Sequence, residues 1–226
     1  GAKFRLYFGT CLSLADLATD ILVIRRFFLE ENYTYAFLEL GFVGLSVLLI
    51  VLIVTIQNKN RGWKKLAYEL FIVVTMLKPA VDARRLARGD VMKAGALLEP
   101  STENTYTKLA TMFSESIPGG LLQTYALLKA KEIKKTNIIS VSISALAIAY
   151  TSTCISTDFD IDPVRRRHTP AFYGYTPDSN RNRVFILMIC MTTSHVLMKL
   201  LASSLLLSLN MAWFMFYIGG DLSLLF

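Results

Sequence analysis

Apolar blocks of bilayer-spanning length that carry carboxylates near their middles restrict what this chain can fold into more than any other feature. The run from Thr107 to Leu128 is long enough to cross a hydrocarbon core, yet it holds Glu115, Pro118, Gly119 and Gly120 near its centre. A charge at that depth costs roughly 2.5–3.5 kcal/mol on insertion scales, so it normally faces protein or water. Proline removes one helical hydrogen bond and clashes with the preceding turn. The freed backbone groups then need partners from protein or cavity water. The stretch from Met112 to Tyr125 therefore reads as a polar site within the membrane, with Pro118, Gly119 and Gly120 as its hinge or helix break. A structural kink in which Glu115 pairs with one basic residue is the alternative.

Composition supplies the class. Of 226 residues, 54% are hydrophobic and only 18% charged, and the apolar ones come in blocks rather than in short amphipathic segments. The fold expected is all-α: a polytopic membrane protein of about six to eight hydrophobic helices, one or two of them re-entrant. Residues 1–226 read as a single transmembrane helical domain, and as a fragment of a longer chain, because there is no initiator Met and Phe226 falls inside an apolar segment. The first apolar segment is too long, and too acidic at its centre, for a cleavable leader. Cys11, Cys154 and Cys190 fit neither a zinc site nor a disulfide framework. With two histidines, a haem or multi-histidine centre is not expected. The net charge of +7 lies mostly in loops, which suits anionic headgroups or simply sets topology.

Asp16 and Asp20 stand four apart in the run from about Leu6 to Leu29, on one helical face with Ser13 close to the same stripe. Two acids there are placed to hold a cation, to pair with basic groups of another helix, or to line a polar groove. The second span, Tyr35 to Ile56, carries Glu39 near its mouth, where hydration is expected. Lys59, Arg61, Lys64 and Lys65 follow, and the positive-inside rule puts them and the N-terminus in the cytoplasm, with Glu30 and Glu31 outside. Leu66 to Val81, with Glu69, Lys78 and Pro79, is short for a span and reads as interfacial, re-entrant or crossing. The charges from Asp82 to Asp90 read as a solvated helical face, with Asp82 and Arg85 neighbours on it.

Lys129, Lys131, Lys134 and Lys135 form a second basic loop, again expected inside. Parity then requires that Leu66–Val81 and Thr107–Leu128 either both cross or both dip and return. Asn137 to Ile155, rich in Ser and Ala, reads as an interior scaffold helix. Asp158, Asp160 and Asp162 alternate as in a calcium loop but lack its sixth-position glycine and twelfth-position glutamate, so no calcium site is expected. Tyr173, Tyr175 and Pro177 suggest an ordered loop there. Val184 to Leu209 carries His195 and Lys199, the deepest candidate cations and natural partners for Asp16, Asp20 or Glu115. Met211 to Phe226 begins a further helix, with Asp221 beside Gly219 and Gly220.

Two motifs carry a resemblance. Ser13-Leu-Ala-Asp16-Leu-Ala-Thr-Asp20-Ile21 resembles the first-helix signature of the XK-related membrane proteins. Glu115-Ser116-Ile117-Pro118-Gly119-Gly120-Leu121-Leu122-Gln123 resembles that family's Glu-Ser-x-Pro-Gln-Leu-x-Leu-Gln motif, matching at Glu115, Ser116, Pro118, Leu122 and Gln123. It departs at Gly119 and Gly120, where the family has Gln-Leu. The resemblance implies a multi-helix membrane protein with re-entrant helices, some of whose relatives are phospholipid scramblases that need no ATP. It also implies a hydrophilic headgroup route through the membrane, to which Asp16, Asp20 and Glu115 belong.

The residues agree with that expectation. Asp16, Asp20, Glu115, Ser116, Gln123, His195 and Lys199 are the candidate lining of a lipid or polar path. Membrane phospholipids are the expected partners, with an accessory membrane subunit or a second copy of the chain, and without nucleic acid. The expected location is the plasma membrane. No nucleophile–base pair, Walker loop or metal set is present in the sequence, so no catalytic residue, cofactor or metal is expected. A structural or sensory membrane domain, an ion channel or proton-coupled transporter, and a retinal receptor built on Lys199 are the competing readings.

Overall fold

In the computed structural model, the described residues are 2–90, 95–130, 135–162, 167, 171, 176 and 178–223. They form an all-α bundle with no strand among them. The helices are α1 (Ala2–Leu29), α2 (Tyr33–Asn58), α3 (Trp63–Val74), α4 (Lys78–Arg88), α5 (Pro100–Thr111), α6 (Ile117–Lys129), α7 (Lys135–Ile161), α8 (Arg181–Leu209) and α9 (Met211–Ser223). Within these residues, four helices (α1, α2, α7 and α8) are long and apolar enough to cross a bilayer. With the exposed Leu, Ile, Phe and Met side chains on α1, α2 and α8, they make this an integral membrane protein.

Side-chain contacts fix the directions of the helices. Arg5 near the start of α1 pairs with Asp158 near the end of α7 at 3.6 Å, and Tyr150 donates to the Arg5 carbonyl at 2.7 Å. Farther along, Ser144 meets Asp16. Helices α1 and α7 are therefore antiparallel, and the end that holds the N-terminus is called the near end below. Gly9 permits this packing, because a Cβ there would lie 2.9 Å from the Tyr150 ring. The expected scaffold helix is α7: Ala145, Ala147, Ile148, Ala149 and Tyr150 are all buried.

Helices α1 and α2 join through Glu30–Asn32 at the far end. Glu31 takes a left-handed φ of 58°, and the amides of Glu31 and Asn32 return to the carbonyls of Phe28 and Phe27, which closes α1. Met76, at φ 57°, ends α3 in the same way. With 12 and 11 residues, α3 and α4 reach only roughly 18 Å each, well under a bilayer. The chain enters at the near end, turns at Thr75–Leu77 and comes back, bringing Pro79 within 3.4 Å of Thr10 on α1.

Helices α5 and α6 form one helical path of roughly 30 residues, ~45 Å long. The expected break at Pro118, Gly119 and Gly120 takes the form of a π turn over Met112–Ser116, and the chain stays helical on both sides. Pro118 has no N–H to give to the preceding turn, and the wider turn absorbs the mismatch, with the Ile117 amide bonding to the Met112 carbonyl. Gln57 of α2 meets the start of α5 and Glu39 of α2 meets Gln123 of α6, so this path runs from the near end to the far end.

Two expectations are corrected by this topology. Neither parity solution holds, since α3–α4 turn back while α5–α6 traverse the bundle. The two basic loops consequently lie at opposite ends: Lys59–Lys65 near, Lys129 and Lys135 far. Lys131, Lys134, Arg165, Arg166, Tyr173, Tyr175 and Pro177 lie outside the described residues.

Candidate functional site

The bundle interior is polar where a membrane protein can least tolerate it. Asp16 and Asp20 face inward from one stripe of α1, Glu39 from α2, and Glu115 from the π turn, all less than 10% exposed. Asp16 accepts from Ser144 of α7 at 2.8 Å and from Ser116 at 3.1 Å. The Gln123 amide nitrogen donates to Asp20 at 2.8 Å and to Glu39 at 2.6 Å, while its oxygen accepts from Ser140 at 2.8 Å. Glu115 is hydrogen-bonded to the Ser46 hydroxyl of α2. The π turn makes this possible: it inserts an extra residue, so that adjacent Glu115 and Ser116 reach α2 and α1 respectively.

The four carboxylates are tied by hydroxyls and one amide. Among the described residues none of the four makes an ion pair. Glu39 Oε2 has no hydrogen-bond partner among the described residues. An uncompensated buried charge costs several kcal/mol, so carboxyl groups placed in this way depend on hydrogen-bond donors, water or a proton to be tolerated.

Cavities flank the cluster. A central one of about 90 Å³ is lined by Asp16, Glu115, Ser116 and Ser46, with Lys78 and Lys108 toward the near end. A larger near-end vestibule of about 420 Å³ shares Asn104 and Lys108 with it and adds Arg5, Asp158 and Asp162. A far-end cavity of about 210 Å³ has Gln123 and Ser140 in its wall and Arg26, Glu30 and Lys129 around it. The central and near-end cavities adjoin through Asn104 and Lys108, and Gln123 in the wall of the far-end cavity bonds Asp20 and Glu39.

A second polar cluster anchors the α3–α4 turn. Lys78 Nζ lies 2.6 Å from Glu103, 2.9 Å from Asp82 and 3.8 Å from Glu69. Arg85 grips both oxygens of Glu69, at 2.7 and 2.9 Å, and approaches Asp82 at 3.5 Å. Of these groups, Asp82 and Arg85 were expected on a solvated face. Instead Lys78, Glu69 and Asp82 are 5% exposed or less, because α4 packs between α1 and α5. Burial raises the Glu69 carboxyl, but Arg85, Lys78 and Arg61 outweigh it and hold the group below its ordinary value. For Asp82 burial prevails over Lys78, and its pKa is pushed up to about 6.

The structure brings Asp16, Asp20, Glu115, Ser116 and Gln123 into one buried cluster of three hydrogen-bonded sets: Asp16 with Ser116 and Ser144, Gln123 with Asp20, Glu39 and Ser140, and Glu115 with Ser46. His195 and Lys199 are not brought to it. His195 is exposed, and no ion pair joins either residue to the four acids, since α8 turns Leu200, Ser203 and Ser204 toward the bundle instead. Glu39, expected to be hydrated, is 2% exposed and belongs to the network. Its signal in the sequence is a lone acid within an apolar helix, near the helix mouth. The calcium-like triad serves otherwise: Asp160 accepts the Thr176 amide at 2.8 Å.

The model of one protein family, described as XK-related protein, matches residues 4–219, nearly the whole chain. No curated protein and no solved structure matches it.

Proposed function

The chain belongs to the XK-related family, and we propose from that premise that it moves phospholipids between leaflets without an energy source, along the polar interior of the bundle. One observation carries this reading: four buried carboxylates that make no ion pair among the described residues lie at and beyond a central cavity, with further cavities toward the two ends of the bundle. Scrambling needs a hydrated route for the headgroup while the acyl chains stay in hydrocarbon. The acids supply water-attracting and ammonium-attracting groups, and the hydroxyls of Ser46, Ser116, Ser140 and Ser144 supply further hydrogen-bonding partners. In this reading α3–α4 form a re-entrant hairpin, the helices make a single domain, and the protein resides in the plasma membrane with phospholipids as its partners. An accessory membrane subunit or a second copy of the chain completes the assembly.

The test is dithionite quenching of fluorescent lipid in liposomes that contain the protein, with Glu115→Gln as the comparison. Quenching beyond one leaflet, reduced by the substitution, is the expected result. Quenching confined to one leaflet from inserted, folded protein overturns the reading.

A second reading, a structural membrane domain, is favoured by the ties themselves. Gln123 links α1, α2 and α7 to α6, and Asp16 links the π turn and α7 to α1, so the same groups hold the bundle together. It predicts full stability and no lipid movement in any variant that replaces an acid–hydroxyl pair by apolar side chains of like size.

A further inference from the structure

Lys108 occupies the junction of two cavities, lining both the near-end vestibule and the central cavity. The other cations of this region are already committed. Lys78 is held by Glu69, Asp82 and Glu103, and Arg5 lies against Asp158 and over the Phe185 ring. Lys108 makes no ion pair among the described residues. Roughly two helical turns farther along the same path, Glu115 lines the wall of the same cavity together with Asp16, which Ser116 and Ser144 hydrogen-bond, and neither acid makes an ion pair among the described residues. The cavity thus presents a cation that makes no ion pair among the described residues and, deeper, the carboxylates of Glu115 and Asp16, with Thr111 on the wall between them.

That polarity matches a ligand whose anionic and cationic groups are linked at short range. We propose that this junction docks zwitterionic phospholipid headgroups, the phosphate at Lys108 and the ammonium at Glu115 and Asp16. It therefore discriminates against headgroups that carry phosphate and no ammonium. The inference deepens the scrambling reading and rests on it, since the junction is the near-end mouth of the proposed route. The charge order supplies the selectivity. A phosphate alone gains Lys108 but brings a second anion toward two carboxylates, whereas an ammonium between them neutralises the repulsion.

Binding is read first, independently of transport, by calorimetry on protein in a non-ionic maltoside. Dihexanoyl-phosphatidylcholine and dihexanoyl-phosphatidylglycerol are the probes, with free phosphocholine as a control for the headgroup without its lipid. Wild type is expected to prefer the choline lipid by roughly fivefold or more. Glu115→Gln is expected to bring the ratio close to one by weakening the choline lipid alone. Lys108→Met is expected to weaken both lipids, and Lys108→Arg to restore them, which separates lost contact from lost fold. Equal affinities in wild type, or a ratio unchanged in Glu115→Gln, overturn the proposal. Free phosphocholine binding as tightly as the lipid also overturns it, by assigning the junction to a soluble ligand.

Acyl-labelled choline and glycerol lipids in the dithionite assay then part this inference from the reading beneath it. Both lipids crossing at one rate removes the selectivity and leaves scrambling intact. A retained binding preference with no lipid crossing supports the docking site and removes scrambling.

Discussion

Glu39 on α2 and Gly119 on α6 approach so closely that a Cβ at position 119 would lie 3.1 Å from Glu39 Oε1. The same oxygen accepts the 2.6 Å hydrogen bond from Gln123, one turn farther along α6. Gly119 is one of the two positions at which the chain departs from the motif it resembles, and its missing side chain is what admits a buried acid from the neighbouring helix.

Gly119→Ala is therefore expected to destabilise the protein by about 1–3 kcal/mol, the usual cost of overpacking. The substitution should cost far less in a Glu39→Ala background, because the atom it strikes is gone. Thermal unfolding of the two single variants and the double variant gives the coupling. Additive effects would mean that the close approach is not what constrains position 119.

Gln123 is the side chain on which most of the network depends. Gln123→Leu leaves Asp20, Glu39 and Ser140 without their shared partner, at about 1–3 kcal/mol for each buried group orphaned. Ser140→Ala removes one acceptor contact and leaves both amide donations in place, so its loss of thermal stability should be much smaller. Similar losses in the two variants would show that the bonds to the acids contribute little.

The cluster around Lys78 makes stability depend on pH in two opposite senses. Asp82 has a folded-state pKa raised from 3.8 to about 6 by burial, so the folded state holds its proton more readily. Its contribution is most favourable at low pH and declines as pH rises from about 4 to about 6. Glu69 is held below its ordinary value and contributes stability above that value, which is lost as pH falls through the folded-state pKa. Asp82→Asn should flatten the decline between pH 4 and 6 in a melting-temperature profile and leave the acid-side loss in place. An unchanged slope in that window would contradict the assignment.

Because α5–α6 traverse the bundle, Lys65 and Lys129 lie at opposite ends. Cysteine placed at either position, after removal of the exposed Cys11 and Cys190, should react with a membrane-impermeant maleimide from opposite sides of sealed vesicles. Labelling of both from one side would restore the arrangement that the two basic loops suggest on charge alone.

The amino-acid sequence by itself determined the membrane class, the long spans and the acid stripe of α1, because hydropathy and the four-residue spacing of Asp16 and Asp20 are local properties. Glu115 and Gln123 were likewise legible as polar groups inside an apolar run. Only the tertiary structure decided what those groups meet. Glu39 looked hydrated because it stands near a helix mouth, and it is buried because α6 presents a glycine opposite it. Asp82 looked solvated on a charge-rich helix, and it is enclosed because that helix turns back against α1 and α5. Lys199 and His195 had the charge and the depth to neutralise the acids, but α8 directs another face inward. Pairing between helices depends on their adjacency and rotation, which no local pattern encodes, and for this reason the composition of the site was readable while its geometry was not.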